Sequence, residues 1–596
     1  MTKDGLPELP LGWQGFEKLR LDKAVYIDKT RYLPMVRGAG RFVFCARPRR
    51  FGKSLTVSAL DAFYSGRTEL FRGLAVEKDM DSPGFVTRPV IRLDMKCVAG
   101  SRSIEILEKN FFECLGNIAK RHKVSLRGAD SARAFLYLMK DVHETTGKTV
   151  VVLIDEYDAP VISIIQKEES AIRDLLGVTR DVMSEFYSQI KSADEDIESV
   201  FITGVTKFSR MGVFSSLNNL IDVSIEPEFG TFMGYTQEEL ETNFMPFIAE
   251  GAHKLKMSEE ILLTKIRDYY DGFSFDGESR LYNPFSVLLF FKTYKFLNYW
   301  MVSGSNSLIR KFLKDKAITV DQFQGMTVGE DFASDPGEID ATPPEGFMYQ
   351  SGYLTLRTAS DNAYSLDYPN REVRSAISKL FLENLALASS WAGISTAGRE
   401  LNLCLATADV PGMVDVLVRL FAGICYDDHL LANRDPKRGF LTDIIRKAGL
   451  ILSFGKRRKL TESLAELLRK TMGEGFYRSV LHASLCMAGA KVIPETHVGL
   501  GRIDLLAECG IFTYVIELKM AKDANGGAKS AMVGISQIHE RGYARAFKDP
   551  ILVSVAIGRK ERNIVACRFE RDGQGKDVEI KDPGRPSVVS EIGKHE

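Results

Sequence analysis

No net charge is left over in this chain, since 79 Lys and Arg residues balance 79 Asp and Glu. That balance excludes a global electrostatic pull toward nucleic acid or an anionic membrane, so any such binding must come from local patches. The eight cysteines (Cys45, Cys97, Cys114, Cys404, Cys425, Cys486, Cys509 and Cys567) include no CxxC pair and no histidine at zinc-finger spacing. This argues against a disulfide framework and against a structural zinc site. Long apolar runs are missing too. The opening MTKDGLPELP has no apolar signal core, no run approaches the length of a bilayer span, and a cytoplasmic chain is expected. What remains is an ordinary globular composition, 45% hydrophobic and 27% charged. At 596 residues the chain exceeds one core, and about 150 residues per domain suggests three or four.

The most informative stretch is Arg41 to Leu55, RFVFCARPRRFGKSL. A short apolar run passes through Arg47, Pro48, Arg49, Arg50 and Phe51 into Gly52, Lys53 and Ser54, and a helix follows from Leu55. Backbone N–H groups of such a strand–loop–helix junction point inward and the helix N-terminus adds partial positive charge. Lys53 then reaches the β and γ phosphates of a nucleoside triphosphate, and Ser54 ligates Mg²⁺. The usual pattern has glycine where Arg47 stands, and Gly-Lys-Ser alone is a weak signal that needs an acidic partner strand.

Thr149 to Asp158 (TVVVLIDEYD) supplies that partner. Val151 to Ile154 read as a strand buried on both faces of a parallel sheet, ending in Asp155 and Glu156. Hydrolysis of ATP needs one carboxylate to hold Mg²⁺ and another to orient or deprotonate the attacking water, roles that suit Asp155 and Glu156 in turn. A further strand, Ser199 to Thr206, ends in polar residues. Thr203 or Thr206 stands where a γ-phosphate contact is made, and a strand-end threonine bonded to backbone fits the same residues. Arg210, just past this strand, is a candidate arginine finger or a surface residue.

A second constellation lies between Glu474 and Tyr543. A periodic helix (Gly475–Ala488) precedes GRIDLLAE and FTYVIELK, two strands joined by a turn at Cys509 and Gly510, a hairpin signature. Glu517 and Lys519 are two apart and share a face, and Asp504 meets them across the ladder. Phosphodiester hydrolysis needs carboxylates for one or two Mg²⁺ ions and a positive group near the attacking water, which Asp504, Glu517 and Lys519 supply. An amphipathic hairpin with a solvent-facing salt bridge is the plain alternative.

Several stretches together resemble an AAA-ATPase-like family that carries a C-terminal PD-(D/E)XK nuclease-type domain. They are YIDKT (Tyr26–Thr30), RPRRFGKSL (Arg47–Leu55), LIDEYDAP (Leu153–Pro160), TGVTKFS (Thr203–Ser209), SLNNLID (Ser216–Asp222), YYDGF (Tyr269–Phe273) and YNPFS (Tyr282–Ser286). In that family arginine opens the phosphate loop. The resemblance implies an α/β fold: an additional-strand P-loop core over 1–235 and a helical lid over 236–313. A mixed, mostly helical connecting region over 314–460 and a restriction-endonuclease-like α/β domain over 461–572 follow, then a polar tail over 573–596. The residues agree on the lid, where Thr236 and Glu239 form a capping-box helix start and helical patterns run over Ser258–Tyr270 and Pro284–Trp300. The resemblance also makes Glu474 and Gln537 accessory residues of the second site.

The middle region carries no catalytic spacing. FMYQSGYLTL (Phe347–Leu356) and Ala363–Leu366 alternate like strands, YPNREVR leads into a helix, and Lys456 to Lys459 form a short basic run. Two functions are consistent with the whole: an ATP-dependent, Mg²⁺-dependent nuclease acting on DNA or RNA, or an ATP-switched binding or assembly protein whose last domain holds nucleic acid or protein without cutting. A metabolic kinase is disfavoured, because no stretch marks an acceptor site. The pattern is silent on oligomeric state.

Overall fold

The run Phe42–Ala46 is strand β1, buried along its whole length at an interior position of a five-stranded parallel sheet ordered β2-β3-β4-β1-β5. It belongs to a computed structural model that describes residues 6–165, 172–207, 219–302, 309–310, 313, 319–329, 332, 344–360, 363–386, 391–424, 474–498, 501–578 and 580. The other strands are β2 (Val90–Asp94), β3 (Val150–Asp155), β4 (Ile197–Gly204) and the short β5 (Ile221–Asp222). β4 lies between β1 and β3, so one strand separates the phosphate loop's strand from the acidic one.

Parallel strands need long crossovers, here mostly helical. Helices α1 (Phe16–Leu21), α2 (Tyr32–Ala39) and α3 (Lys53–Tyr64) flank β1, with α4 (Glu77–Met80) leading toward β2. Then come α5 (Ile104–His122), α6 (Ser131–Thr146), α7 (Ala159–Ile165) and α8 (Ile172–Ser192). α5 and α6 start on the side chains of Ser103 and Asp130, which accept from backbone N–H groups of the first turn. Their apolar faces (Leu107, Phe111, Leu115; Phe135, Leu138, Val142) share a buried core with the strands.

The lid helix Gln237–Leu255 begins on the expected capping box, with Thr236 accepting from the Glu239 N–H and Glu239 from the Thr236 N–H. Its partner Glu259–Tyr270 starts on Ser258. The expected helix Pro284–Trp300 is instead two: Pro284–Thr293 stops at Tyr294, which is in the left-handed region (φ 50°), and a short helix, Tyr299–Val302, follows. A core of Phe244, Phe247, Phe290, Phe291 and Tyr270 joins these helices.

The chain divides into two compact units, Met1–Leu308 with Gly325–Glu372, and Ile309–Gln324 with Val373–Glu596. The expected connecting region is therefore shared between them. Within the first unit, a three-stranded sheet contains β6 (Thr327–Gly329), β7 (Thr355–Ser360) and β8 (Ala363–Asp367). Phe347 to Gln350, expected as strand, belongs to the helix Pro344–Gln350, and the strand begins only at Thr355.

In the second unit the helix Glu474–Met487 precedes a six-stranded mixed sheet ordered β14-β13-β12-β11-β10-β9. Its strands are β9 (Lys491–Val498), β10 (Gly501–Cys509), β11 (Phe512–Ala521), β12 (Ile551–Gly558), β13 (Asn563–Arg571) and β14 (Gln574–Val578). β10 and β11 form the expected hairpin, with Gly510 at φ 62° in the turn. The expected polar tail begins too early, because Gln574–Val578 pair with β13. The basic run Lys456–Lys459 and Arg210 lie outside the described residues. Among the described residues no helix is long and apolar enough to cross a membrane.

The described residues also hold one unexpected cross-link. Cys97 and Cys114, 17 residues apart, form a disulfide with a Cα–Cα distance of 6.6 Å. No sequence motif marks the pair, because the fold brings a turn after β2 to the middle of α5.

Candidate functional sites

The first site is built at the carboxyl ends of β1 and β3. Gly52, at φ 97°, adopts the left-handed conformation that lets α3 start at Lys53 directly after the loop. Lys53 is buried, and its ammonium donates to the carbonyls of Arg47 at 3.0 Å and Pro48 at 3.1 Å. The charge is thereby held across the mouth of the loop.

Asp155 ends β3 and is 1% exposed. It has the Ser54 hydroxyl nearby, yet its Oδ1 has no partner among the described residues. Burial, helped by the neighbouring Glu156 and Asp94 charges, pushes its carboxyl up, against the Ser54 hydroxyl and Lys53. A buried acidic oxygen without a donor, next to a serine hydroxyl and a lysine, fits a divalent cation. Glu156 shifts the opposite way. Burial alone would raise it, but Lys53, Lys96 and Arg49 together hold it below the usual range. Glu156 sits at φ 51°, and its Oε1 is 3.2 Å from the Lys96 Nζ. Two adjacent carboxylates thus have environments pushing them apart, a pattern found where one binds and the other reacts.

These groups open into a cavity of about 520 Å³ lined by Arg49, Arg50, Phe51, Gly52, Lys53, Ser54, Leu55 and Glu156, with Trp13 and Tyr26 from the preceding segment and Phe285 from the lid. Arg50 lies over the Phe285 ring, 4.7 Å from its centroid. Lys29, within the YIDKT stretch, reaches Glu239 at 2.6 Å and so fastens the opening segment to the lid helix's cap.

Two expected nucleotide contacts are not made by the side chains named. The Arg47 guanidinium is 1% exposed and turns inward, donating to the carbonyls of Ala46, Ser224 and Phe229 and lying 4.2 Å from the Phe275 centroid. Its charge is absorbed by backbone, so arginine replaces glycine here as a brace for the loop. The Thr203 hydroxyl donates to the Cys45 carbonyl at 2.6 Å and is fully buried between strands. Thr206 is likewise occupied, its N–H and hydroxyl both 2.8 Å from Asp158 Oδ2. Phe51 packs its ring edge-on to Phe273 and Phe275, and Pro48 contributes its carbonyl to Lys53.

Sequence reasoning missed Asp158 and Lys96. Asp158, fully buried, also accepts from the Val205 N–H at 3.1 Å, tying the residues after β3 to the exit of β4. Its signal was the last acid of DEYD. Lys96 follows β2 in a single helical turn, Met95–Cys97, and carried no motif.

The second site forms on the hairpin. The register Leu505↔Ile516 brings Asp504 beside Glu517. Glu517 is fully buried, and its Oε2 accepts from the Lys519 ammonium and from the Gln537 amide, each at 3.0 Å. Its Oε1 has no donor among the described residues. Asp504 Oδ2 accepts from the Leu518 N–H at 2.9 Å. Burial first, then the Asp504 charge, raise the Glu517 carboxyl, with Lys519 opposing. Two carboxylates sharing one confined site favour a proton or a cation between them.

Glu474 opens the first helix, and its carboxyl is raised by burial and by Asp504, so it belongs to the same electrostatic cluster. Gln537 reaches Glu517 because Gly534, one turn earlier in the helix Gly527–Glu540, lets that helix settle on the sheet. A Cβ there would come within 2.1 Å of the Ser554 hydroxyl. Tyr543 has a different task, bonding the Arg502 carbonyl at 2.8 Å. Among the described residues no group of three or more His, Cys, Asp or Glu closes a ready metal cage. Asp504 and Glu517, with one orphaned oxygen, fit a cation whose remaining positions are taken by water or substrate oxygens.

Comparison with known proteins agrees with this division. Residues 10–214 match the AAA-ATPase-like family, described as a predicted AAA-ATPase, and residues 472–567 match the PD-(D/E)XK nuclease superfamily. The chain is also 28% identical over 577 residues to a protein of Azotobacter chroococcum mcd 1 described as an uncharacterized protein in the vnfD 5' region, covering 95% of this chain and 99% of that one. The chain thus joins an AAA-ATPase-like domain to a C-terminal PD-(D/E)XK nuclease superfamily domain.

Proposed function

We propose that this protein binds and hydrolyses ATP and, through its C-terminal domain, cleaves DNA or RNA phosphodiesters with Mg²⁺. One repeated observation carries the reading: each site holds a buried carboxylate oxygen without a donor, beside a second carboxylate and a lysine (Asp155, Glu156 and Lys53; Glu517, Asp504 and Lys519). Mg²⁺ held by Ser54 and Asp155, and by Asp504 and Glu517, supplies positive charge to phosphate oxygens.

The chain's own groups do the rest. Loop N–H groups and Lys53 bind the β and γ phosphates, with Lys53 exchanging its two carbonyl partners for phosphate oxygens. Arg49 and Arg50 add charge along the same wall. Glu156, kept ionised by three cations, orients the attacking water and takes its proton. In the second domain Lys519 faces the scissile phosphate and its water, Gln537 fixes the Glu517 rotamer, and Glu474 stands at the edge of the cluster.

The test is ATPase and nuclease assays side by side on wild type, Lys53→Ala and Glu517→Ala, with single- and double-stranded DNA and RNA. Loss of both activities in Lys53→Ala, with only cleavage lost in Glu517→Ala, supports an ATP-controlled nuclease. No Mg²⁺-dependent cleavage of any substrate by wild type sinks it. ATP-dependent binding that survives Asp504→Ala then identifies a switched binding protein.

A further inference from the structure

We propose that Cys97 and Cys114 are a thiol–disulfide modification site, reacting with low-molecular-weight disulfides such as oxidised glutathione, that sets the rate of ATP hydrolysis through the Lys96–Glu156 ion pair. The control rests on the reading of Glu156 as the hydrolytic carboxylate.

Three observations converge on the turn after β2. First, Cys97 is exposed and Cys114 half-buried on α5, so the bond between them is open to small reactants; exposed disulfides are the readily exchanged ones. Second, the residue next to Cys97 is Lys96, whose ammonium is 3.2 Å from Glu156. Third, the turn is fixed to the site at other points. The Asp94 carboxylate accepts from the Lys96 N–H at 3.0 Å, Ala99 lines the nucleotide cavity, and the Gly100 N–H donates to Ser163 of α7 at 2.8 Å. The disulfide adds a covalent anchor between this turn and α5, so it fixes where Lys96 stands. With the bridge closed, Lys96 occupies the carboxylate that has to meet water. With it open, the turn is released from α5 and Glu156 can leave its partner.

The chemistry balances. The Cys97 thiolate attacks one sulfur of the small disulfide and expels one thiol, and Cys114 then attacks the Cys97 sulfur of the mixed disulfide and expels the second. Two protons and two electrons leave the protein, and the small disulfide becomes two thiols.

The full-length protein is incubated with oxidised or reduced glutathione, then digested without reduction for peptide mapping, and assayed for ATP turnover and for affinity toward a fluorescent ATP analogue. Expected are a Cys97–Cys114 cross-linked peptide after oxidation and turnover about fivefold lower, the scale of one partly exposed ion pair, with affinity unchanged. Cys114→Ser should hold the reduced rate in both buffers, and Lys96→Gln should lose its response to oxidation while still forming the cross-link. No cross-linked peptide overturns the site. A cross-link with unchanged turnover in a protein that hydrolyses ATP overturns the control. No turnover even when reduced rejects the ATPase reading and the control with it, while the mapping still decides whether the site exists.

Discussion

Gln537 donates its side-chain amide to Glu517 Oε2 at 3.0 Å, the same oxygen that accepts from Lys519. The two donors come from different elements, so together they fix the carboxylate in one rotamer and leave Oε1 facing Asp504's side of the site. On the proposed function, Gln537 acts through Glu517 rather than on substrate. Gln537→Ala is expected to lower cleavage about 10- to 100-fold, the range typical when a ligand's supporting hydrogen bond is removed. The fall should lessen at high Mg²⁺, whereas Glu517→Ala should stay inactive at every concentration. Equal, Mg²⁺-independent losses would show that Gln537 contacts the substrate itself.

Lys53 and Glu156 should separate binding from turnover. Replacing the Lys53 ammonium removes charge-assisted bonds to phosphate worth about 1.5–3 kcal/mol, or roughly 10- to 100-fold in affinity. Glu156→Gln keeps shape and removes the base, so ATP affinity is retained while turnover falls about 100-fold or more. Equilibrium binding of a fluorescent ATP analogue, run beside phosphate release, distinguishes them. A Glu156→Gln protein that fails to bind nucleotide would place that residue in the binding pocket.

Arg47 was read as part of the phosphate cradle and instead braces the loop from below. Arg47→Ala leaves the Ser224 and Phe229 carbonyls without their donor and strips a cation from Phe275. A loss of about 3 kcal/mol of stability is expected, and Arg47→Lys should not restore it, because one ammonium cannot span three carbonyls and a ring. Urea unfolding followed by tryptophan fluorescence measures this. Unchanged stability with weakened ATP affinity would restore the cradle reading.

How legible these sites were depended on how local their determinants are. The Thr236–Glu239 capping box spans four residues and could be read letter by letter. The buried acidic strand ending in Asp155 declared itself through four apolar neighbours, and Asp504, Glu517 and Lys519 through one hairpin with period-two geometry. The failures at the sites are long-range. Arg47 finds its carbonyls 177 and 182 residues further on, and Thr203 finds Cys45 across 158. Nothing near either residue announces those partners. The Cys97–Cys114 bond likewise depends on where α5 packs. Tyr294 in the left-handed region broke a continuous helical pattern that sequence periodicity had no means to interrupt.

Glu372 provides a pH test independent of both candidate sites. It is fully buried, its Oε1 accepts from the Trp300 N–H at 2.7 Å, and its Oε2 has no partner among the described residues. Burial pushes its carboxyl up to about 8, against the hydrogen bond from the Trp300 N–H. In the unfolded chain the same group titrates near about 4.3. Between those values the folded protein holds a proton that the unfolded chain has released. The stabilising contribution is therefore complete below the unfolded value and is lost as pH rises through the folded one, with a slope of at most about 1.4 kcal/mol per pH unit. Glu372→Gln, neutral at every pH, should lack this slope. Its urea-unfolding free energy relative to wild type should rise from pH 6 to about pH 8 and level off above that. Parallel curves for the two proteins would mean that Glu372 is ionised in the fold, with a cation satisfying its second oxygen.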